Sequence, residues 1–127
     1  MATVAVGVDV VDVARFALAL RRRPRMAERL FTSRERHDTQ DRPERLAARF
    51  AAKEAVLKAL GAGLGDASLR HIEVQRTPSG APLIVLHAEA HDLATSRGVA
   101  TLHVSLSHTA TTATAFVVAS SEASRAG

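Results

Sequence analysis

The chain predicts an α+β domain in which a small antiparallel sheet packs against one long helix and several shorter ones. Three observations carry this. The opening segment alternates Val4, Val6, Val8 and Val10 with Ala5, Gly7 and Asp9, the period-two pattern of a strand with one bulky and one small face. Between Pro43 and Gly61, small and apolar residues recur at helical spacing along the whole stretch. Near the end, Thr101–Ser107 and Thr112–Ala119 read as two strands joined by a tight turn. With 127 residues, 46% of them hydrophobic, there is material for one core. Residues 1–119 are therefore expected to form a single domain, and the polar tail 120–127, SSEASRAG, to be disordered.

The elements follow in order. Asp12 suits the N-cap of a helix in which Val13, Phe16, Ala17 and Leu20 share a face, closed by Arg21-Arg22-Arg23-Pro24. Thr32-Ser33-Arg34-Glu35 has the capping-box pattern and predicts a short helix after Phe31, with the polar run His37–Arg42 as a loop. Pro43 is a favoured first-turn residue and Gly61 a natural stop, which bounds the long helix. Two of its rows, Ala47-Ala51-Ala55-Ala59 and Ala48-Ala52-Val56-Leu60, are small enough to approach a sheet closely, leaving Arg45, Arg49, Lys53, Glu54 and Lys58 for the remaining surface. A strand over Leu69–Arg76, a turn over Thr77–Pro82 and a strand over Leu83–Leu86 make a hairpin, and a helix over Ala88–Arg97 ends at Gly98.

Composition narrows the function classes. The absence of cysteine excludes a disulfide framework, Cys-ligated zinc and thiol catalysis. No apolar run approaches the ~20 residues that cross a bilayer, and no basic n-region precedes the apolar opening, so the chain reads as cytoplasmic with no membrane partner. Residues 1–58 hold 13 Lys+Arg against 8 Asp+Glu, whereas residues 59–127 hold 4 against 5, so the first half should face an anionic partner. Four Phe with no Trp or Tyr offer few platforms for stacking bases, which argues against nucleic acid.

The only two lysines, Lys53 and Lys58, flank Glu54 in RFAAKEAVLKALG, while every other basic residue is arginine. Retaining lysine there suggests compact ammonium charges placed on phosphate. Arg45, Arg49 and Lys53 form an i,i+4 column of like charge that either binds an anion or is a solvated face with carboxylate partners. Glu54 and Lys58 have the spacing of an ordinary helical salt bridge. Asp9, at the end of a valine-rich strand, requires a hydrogen bond, a counter-charge or a metal, because Asp12 already suits the capping role. Two carboxylates with lysine and arginine beside them match a Mg²⁺ site completed by water and a diphosphate, although spacing alone does not bring Asp9 to Glu54. His108 is in phase with Leu102, Val104 and Leu106, and on pattern alone reads as a core-edge histidine before a catalytic one.

Taken together, GVDVVDVARF, FTSRE, RFAAKEAVLKALG and HVSLSHTATTATAFVV, in this order and spacing, resemble the holo-acyl-carrier-protein synthase group of 4′-phosphopantetheinyl transferases over Val4 to about Ala119. The resemblance implies the 4′-phosphopantetheinyl transferase fold and a reaction in which the phosphopantetheine arm of coenzyme A moves to a serine of an apo acyl carrier protein, releasing adenosine 3′,5′-bisphosphate. It implies Asp9 and Glu54 as Mg²⁺ ligands and Arg49, Lys53 and Lys58 on phosphates. Phe50, Leu57 and Gly61 would line the coenzyme A pocket. Glu54, Lys58 and His108 are the implied catalytic groups, with Glu54 through a water, or His108, as the base. It further implies a homotrimer in which Gly80, Pro82, His108 and Thr109 reach coenzyme A held mainly by the next subunit. The acidic carrier protein would dock on Arg15, Arg21, Arg22 and Arg25.

Two departures stand out against that pattern. Gly80-Ala81-Pro82 carries alanine where relatives have lysine or arginine, and Gly61-Ala62-Gly63 lacks the threonine often found there. A nucleic-acid-binding module and a non-catalytic carrier-protein binder are the other classes that charge alone would permit.

Overall fold

A computed structural model describes residues 2–122. The elements run β1 (Thr3–Asp12), α1 (Val13–Arg22), α2 (Met26–Leu30), α3 (Ser33–Thr39), α4 (Pro43–Ala59), β2 (Ile72–Arg76), β3 (Pro82–Leu86), α5 (Ala88–Ser96), β4 (Thr101–His108) and β5 (Thr112–Ser120). The three longest strands form an antiparallel sheet in the order β1-β5-β4, and β2-β3 is a separate hairpin. No helix among the described residues is long and apolar enough to cross a membrane.

Which face of β1 is buried follows from α4. The helix lies across β1, β5 and β4, and the residues it meets are the small ones: Gly7, Ala113, Ala115, Val117 and Ala119 are buried, with Ala5 partly so. A Cβ at Gly7 would strike the carbonyl oxygen of Ala55 and come within 3.0 Å of the Ala59 backbone nitrogen. Only glycine lets strand and helix meet at this distance. The bulky face is turned outward instead, leaving Val6 and Val10 at 55% and 66% exposure beside Phe116, which pairs with Val8 and is 48% exposed.

Helix α4 is buried on nearly every side. Both predicted small-residue rows are in the core, and so are Leu46 and Leu57 on other faces. Helices α1 and α3 cover the side away from the sheet. Asp12 caps α1 by accepting from the Arg15 amide at 2.9 Å. Phe16 stacks at 5.0 Å on Phe50 of α4 and meets Phe31 edge-on at 6.2 Å.

Lys53 departs from expectation. Its ammonium is fully buried, donating to Glu35 Oε1 at 2.7 Å and to the carbonyls of Leu69 and Ile72 at 2.9 and 2.6 Å, with the Phe31 ring 5.4 Å away. Three donors meet three acceptors, so none is left for a phosphate. Burial pushes its pKa down, and the Glu35 charge opposes that shift. Glu35 in turn closes the capping box with Thr32 and accepts from the Val74 amide at 3.0 Å, tying α3, α4 and β2 together.

The remaining differences have local causes. Residues Leu69–His71, expected as strand, form a 3₁₀ turn, because the Leu69 and Ile72 carbonyls serve Lys53. Helix α3 continues to Thr39, into the first half of the polar run His37–Arg42 expected as a loop. Thr39 donates its hydroxyl to the Glu35 carbonyl at 2.8 Å, and the helix ends where Gln40 and Asp41 turn left-handed. Ser120, placed in the tail by its polarity, ends β5, is buried, and pairs with Thr3 and Thr101. The Ser121 amide then donates to Ala2 O. The expectation of disorder for residues 123–127 lies outside the described residues.

Two predictions concern stability. Replacing Lys53 with Met leaves the Glu35 carboxylate buried without its counter-charge and should cost about 3–5 kcal/mol. Adding Glu35→Gln should recover part of that, read as urea midpoints of the two variants against the parent. The second concerns Glu73, which accepts from Thr32 Oγ1 at 2.6 Å and Gln75 Nε2 at 2.8 Å and faces His87 Nε2 at 3.2 Å. Burial pushes its carboxyl up, but the hydrogen bonds from Gln75, Thr32 and His87 together outweigh burial and hold it down at about 2, from an ordinary 4.5. A carboxyl depressed by folding stabilises the fold above its unfolded pKa and loses that contribution as pH falls through the folded one. The stability gap between the parent and Glu73→Gln, up to about 3 kcal/mol at neutral pH, should therefore shrink between pH 4.5 and 2 in denaturation series.

Candidate active site

Close packing at Gly7 sets the next inward-facing residue, Asp9, against α4. Its side chain is 17% exposed, and Oδ1 accepts from Lys58 Nζ at 3.0 Å. Lys58 also donates to the Val8 carbonyl at 2.9 Å. The lysine thus reaches across to β1 instead of pairing with Glu54 one turn earlier, and no ion pair within 4.0 Å involves Glu54 among the described residues. Burial first, and then the charge of Asp9, push the Glu54 carboxyl above its ordinary value, while Lys58 pulls it down. Asp9, Asp12 and Glu54 line a cleft of about 460 Å³ walled by Val10, Arg15, Phe16, Met26 and Phe50, and Lys58 reaches Asp9 from beside it.

This donor set fits a hard divalent cation. Two like charges in a half-buried cleft repel unless a cation lies between them, and Lys58 already places an ammonium on Asp9. No group of three His, Cys, Asp or Glu side chains is placed to hold a metal ion by itself among the described residues. An ion here would therefore keep water and take oxygens from a ligand, the habit of Mg²⁺ rather than of zinc.

A second recess lies beyond α4. Arg45 and Arg49 of α4, Arg76 of β2, Gly80 and Pro82 of the hairpin and His108 of β4 line a pocket of about 320 Å³. Arg49 Nε is buried without a hydrogen-bond partner. Burial lowers the Arg49 pKa, Arg76 and Arg45 lower it further, and Glu35 and Asp38 oppose them. An arginine so placed calls for an anion. Alongside, His108 and Thr109 edge a recess of about 410 Å³ with Glu44.

The expected site residues divide accordingly. Asp9, Glu54, Phe50 and Arg15 meet in the first cleft, Lys58 joins them through Asp9, and Arg49, Gly80, Pro82 and His108 meet in the second. In the sheet order β1-β5-β4, Asp9 and His108 sit on opposite edges, so one chain does not assemble both halves around one ligand. Arg21, Arg22 and Arg25 are exposed on α1 and just beyond it. Three expectations are corrected. Lys53 serves the core, and Leu57, 2% exposed in the central cluster, lines neither pocket. Gly61 ends α4 with φ +66 and has the Arg97 guanidinium beside it, away from both clefts. Sequence reasoning missed Arg76 as a site residue; its only sequence signal is an arginine ending a strand just before a glycine turn.

Comparison with known proteins identifies the family. Residues 5–117 match the 4′-phosphopantetheinyl transferase superfamily. The chain is 50% identical to the holo-acyl-carrier-protein synthase of Frankia casuarinae, over 94% of this chain and 98% of that protein. Two crystal structures are similar throughout. One is the Helicobacter pylori synthase in complex with coenzyme A, with TM-score 0.82 and 33% identity over 91% of this chain and 99% of that one. The other is a Chronobacterium ammoniagenes synthase–coenzyme A complex, with TM-score 0.83 and 31% identity over 97% of this chain and 100% of that one. With its fold, its motifs and its relatives in agreement, the chain belongs to the 4′-phosphopantetheinyl transferase superfamily, in the holo-acyl-carrier-protein synthase group.

Proposed function

We propose that this chain transfers 4′-phosphopantetheine from coenzyme A to a serine hydroxyl of an apo acyl carrier protein, in a cytoplasmic setting. The observation that carries the reading is the meeting of Asp9, Glu54 and Lys58 across the β1–α4 contact. The serine Oγ forms a bond to the pantetheine-side phosphorus, the bond from that phosphorus to the bridging oxygen breaks, and adenosine 3′,5′-bisphosphate leaves with the electron pair. Asp9 and Glu54 would hold Mg²⁺, which when bound supplies Lewis-acid polarisation of the diphosphate. Lys58 places a fixed ammonium where negative charge builds on the leaving group. Positioning and charge neutralisation by such groups account for most catalysis of phosphoryl-type transfer. The serine proton goes to Glu54 by way of water, or to His108 brought by a neighbouring copy. Carrier-protein acidic groups would meet the exposed Arg21, Arg22 and Arg25, with Arg15 at the lip of the cleft.

The same reading extends to assembly. Four exposed valines and Phe116 form an apolar sheet face that an isolated, solvated domain has no reason to carry. The two half-sites stand on opposite edges of that sheet. A homotrimer would cover the face and join the β1-side half of one subunit to the β4-side half of the next.

Two experiments bear on this. Intact-mass analysis of apo carrier protein incubated with coenzyme A should show the phosphopantetheinyl gain with Mg²⁺ and lose it with a chelator. Asp9→Asn and Glu54→Gln should each slow transfer by about 10²-fold or more without loss of fold. Undiminished transfer in the double variant and in chelator would sink the reading. Separately, Glu54→Gln and Arg49→Ala subunits, each inactive alone, should regain about a quarter of parental activity when co-refolded in equal amounts, because random assembly leaves that share of shared sites intact. A mixture as inactive as its components would mean that each site lies within one chain.

A further inference from the structure

We infer that Thr114 is a positioning residue for the carboxylate cleft, fixing the β1 main chain at Asp9 so that this carboxylate is held ready for a divalent cation. The inference rests on the proposed function and deepens it. Asp9 needs such support because of where it sits. Strand β1 is an edge of the sheet order β1-β5-β4, so β5 alone pairs with it among the described residues. The one ion pair of the Asp9 carboxylate among those residues is to Lys58, a flexible side chain that is 55% exposed.

Both peptide groups that flank the Asp9 Cα are tied by side chains. The carbonyl before it, that of Val8, accepts from Lys58 Nζ at 2.9 Å. The carbonyl after it, that of Asp9 itself, accepts from Thr114 Oγ1 at 3.0 Å, across 105 residues of sequence. Each residue has only two soft backbone dihedrals, and holding the planes on either side fixes both. The direction of the Asp9 side chain is thereby set, and with it the 3.0 Å approach of Oδ1 to Lys58 Nζ beside the cleft that Asp9 lines with Glu54.

Threonine at this position does something that strand packing does not require. Thr114 stands opposite Val10 on β1 and Ser107 on β4, between the buried Ala113 and Ala115, so its side chain belongs to the outward face. Val6, Val8, Val10 and Phe116 are exposed on that same face. Valine has the shape of threonine and a comparable preference for strands, so hydrocarbon would serve packing equally well here. What threonine adds is one hydroxyl donor, and the Asp9 carbonyl takes it. In the proposed homotrimer a neighbouring copy covers this face, which would exclude water from the hydrogen bond and strengthen it.

The test compares the parent with Thr114→Val, Thr114→Ser, Asp9→Asn and Asp9→Asn/Thr114→Val. Metal affinity is read by electron paramagnetic resonance with Mn²⁺ as the probe, with coenzyme A and without it, and separately as the Mg²⁺ half-saturation of transfer. Thr114→Val should weaken both by about tenfold, the lower end of what supporting hydrogen bonds contribute to a bound metal, while KM for the apo carrier protein stays within about twofold. Thr114→Ser, which keeps the hydroxyl and lacks the methyl, should return metal affinity to within about twofold of the parent. In the Asp9→Asn background, Thr114→Val should change transfer by less than about twofold, because the hydroxyl acts through Asp9. Parental metal affinity in Thr114→Val, a loss that Thr114→Ser does not recover, or equal slowing in both backgrounds would overturn the inference. So would a loss that light scattering shows to accompany dissociation of the assembly. A parent whose Mn²⁺ binding falls with Thr114→Val and returns with Thr114→Ser, yet which transfers nothing from coenzyme A, would instead overturn the proposed function and leave the positioning role standing.

Discussion

The contact between β1 and α4 at Gly7 and Ala55 is the constraint on which the rest of the molecule depends. It fixes the distance between strand and helix at backbone-to-backbone range, where no Cβ fits. From there the strand period places Asp9 on the same face, and the helix period places Glu54 and Lys58 together on the face beside Ala55. A looser packing of one methyl group would move β1 outward and separate Asp9 from Lys58, which now stand 3.0 Å apart. The same contact explains the inverted strand. With the small face committed to the helix, the valines have to face outward. The geometry of the carboxylate cleft and an exposed apolar face are two consequences of one glycine.

Arginine was used everywhere except in two places, and those two do different things. Lys58 bridges the helix to β1 from a half-exposed position and keeps a charge at the mouth of the carboxylate cleft. Lys53 is enclosed, and its compact ammonium meets three acceptors in a space where the broader guanidinium fork does not match three convergent oxygens. A buried ion pair stabilises little compared with apolar packing of the same shape. Its value here is positional, since Glu35 and Lys53 orient α3, the Leu69–Ile72 turn and β2 around α4. That arrangement sets where Arg76, at the end of β2, emerges.

Much of this was legible in the sequence, and the failures share a cause. Strand alternation, the capping box at Thr32, the start of α4 at Pro43 and the hairpin all appear where local pattern placed them, because each depends on neighbours in sequence. The motif residues Asp9, Glu54 and Lys58 also converge. What local pattern missed depends on distant partners. Helical spacing put Lys53 in a cationic column with Arg49, but Glu35, 18 residues away, draws it inward. Strand propensity continued β2 back to Leu69, but the same ammonium claims the carbonyls that a strand would need. Polar composition read residues 37–39 as a loop, although the Thr39 hydroxyl is spent on its own helix. Arg76 carried no signal because its meaning comes from a pocket built by three separate elements.

The division into two half-sites has a physical rationale of its own. A carboxylate pair that holds a cation and a cluster of arginines that holds a phosphate would neutralise each other if they shared one small cleft, with Asp9 or Glu54 pairing to Arg45 or Arg49 in place of ligand. Placing them on opposite edges of the sheet, with β5 and α4 between, keeps both sets of charges open. The cost is visible as the buried unpartnered Arg49 Nε and as the raised Glu54 carboxyl. On the proposed reading, a donor molecule with two anionic centres relieves both at once, and it does so where subunits meet. Affinity for coenzyme A and association of the chain are then coupled through the same unsatisfied charges.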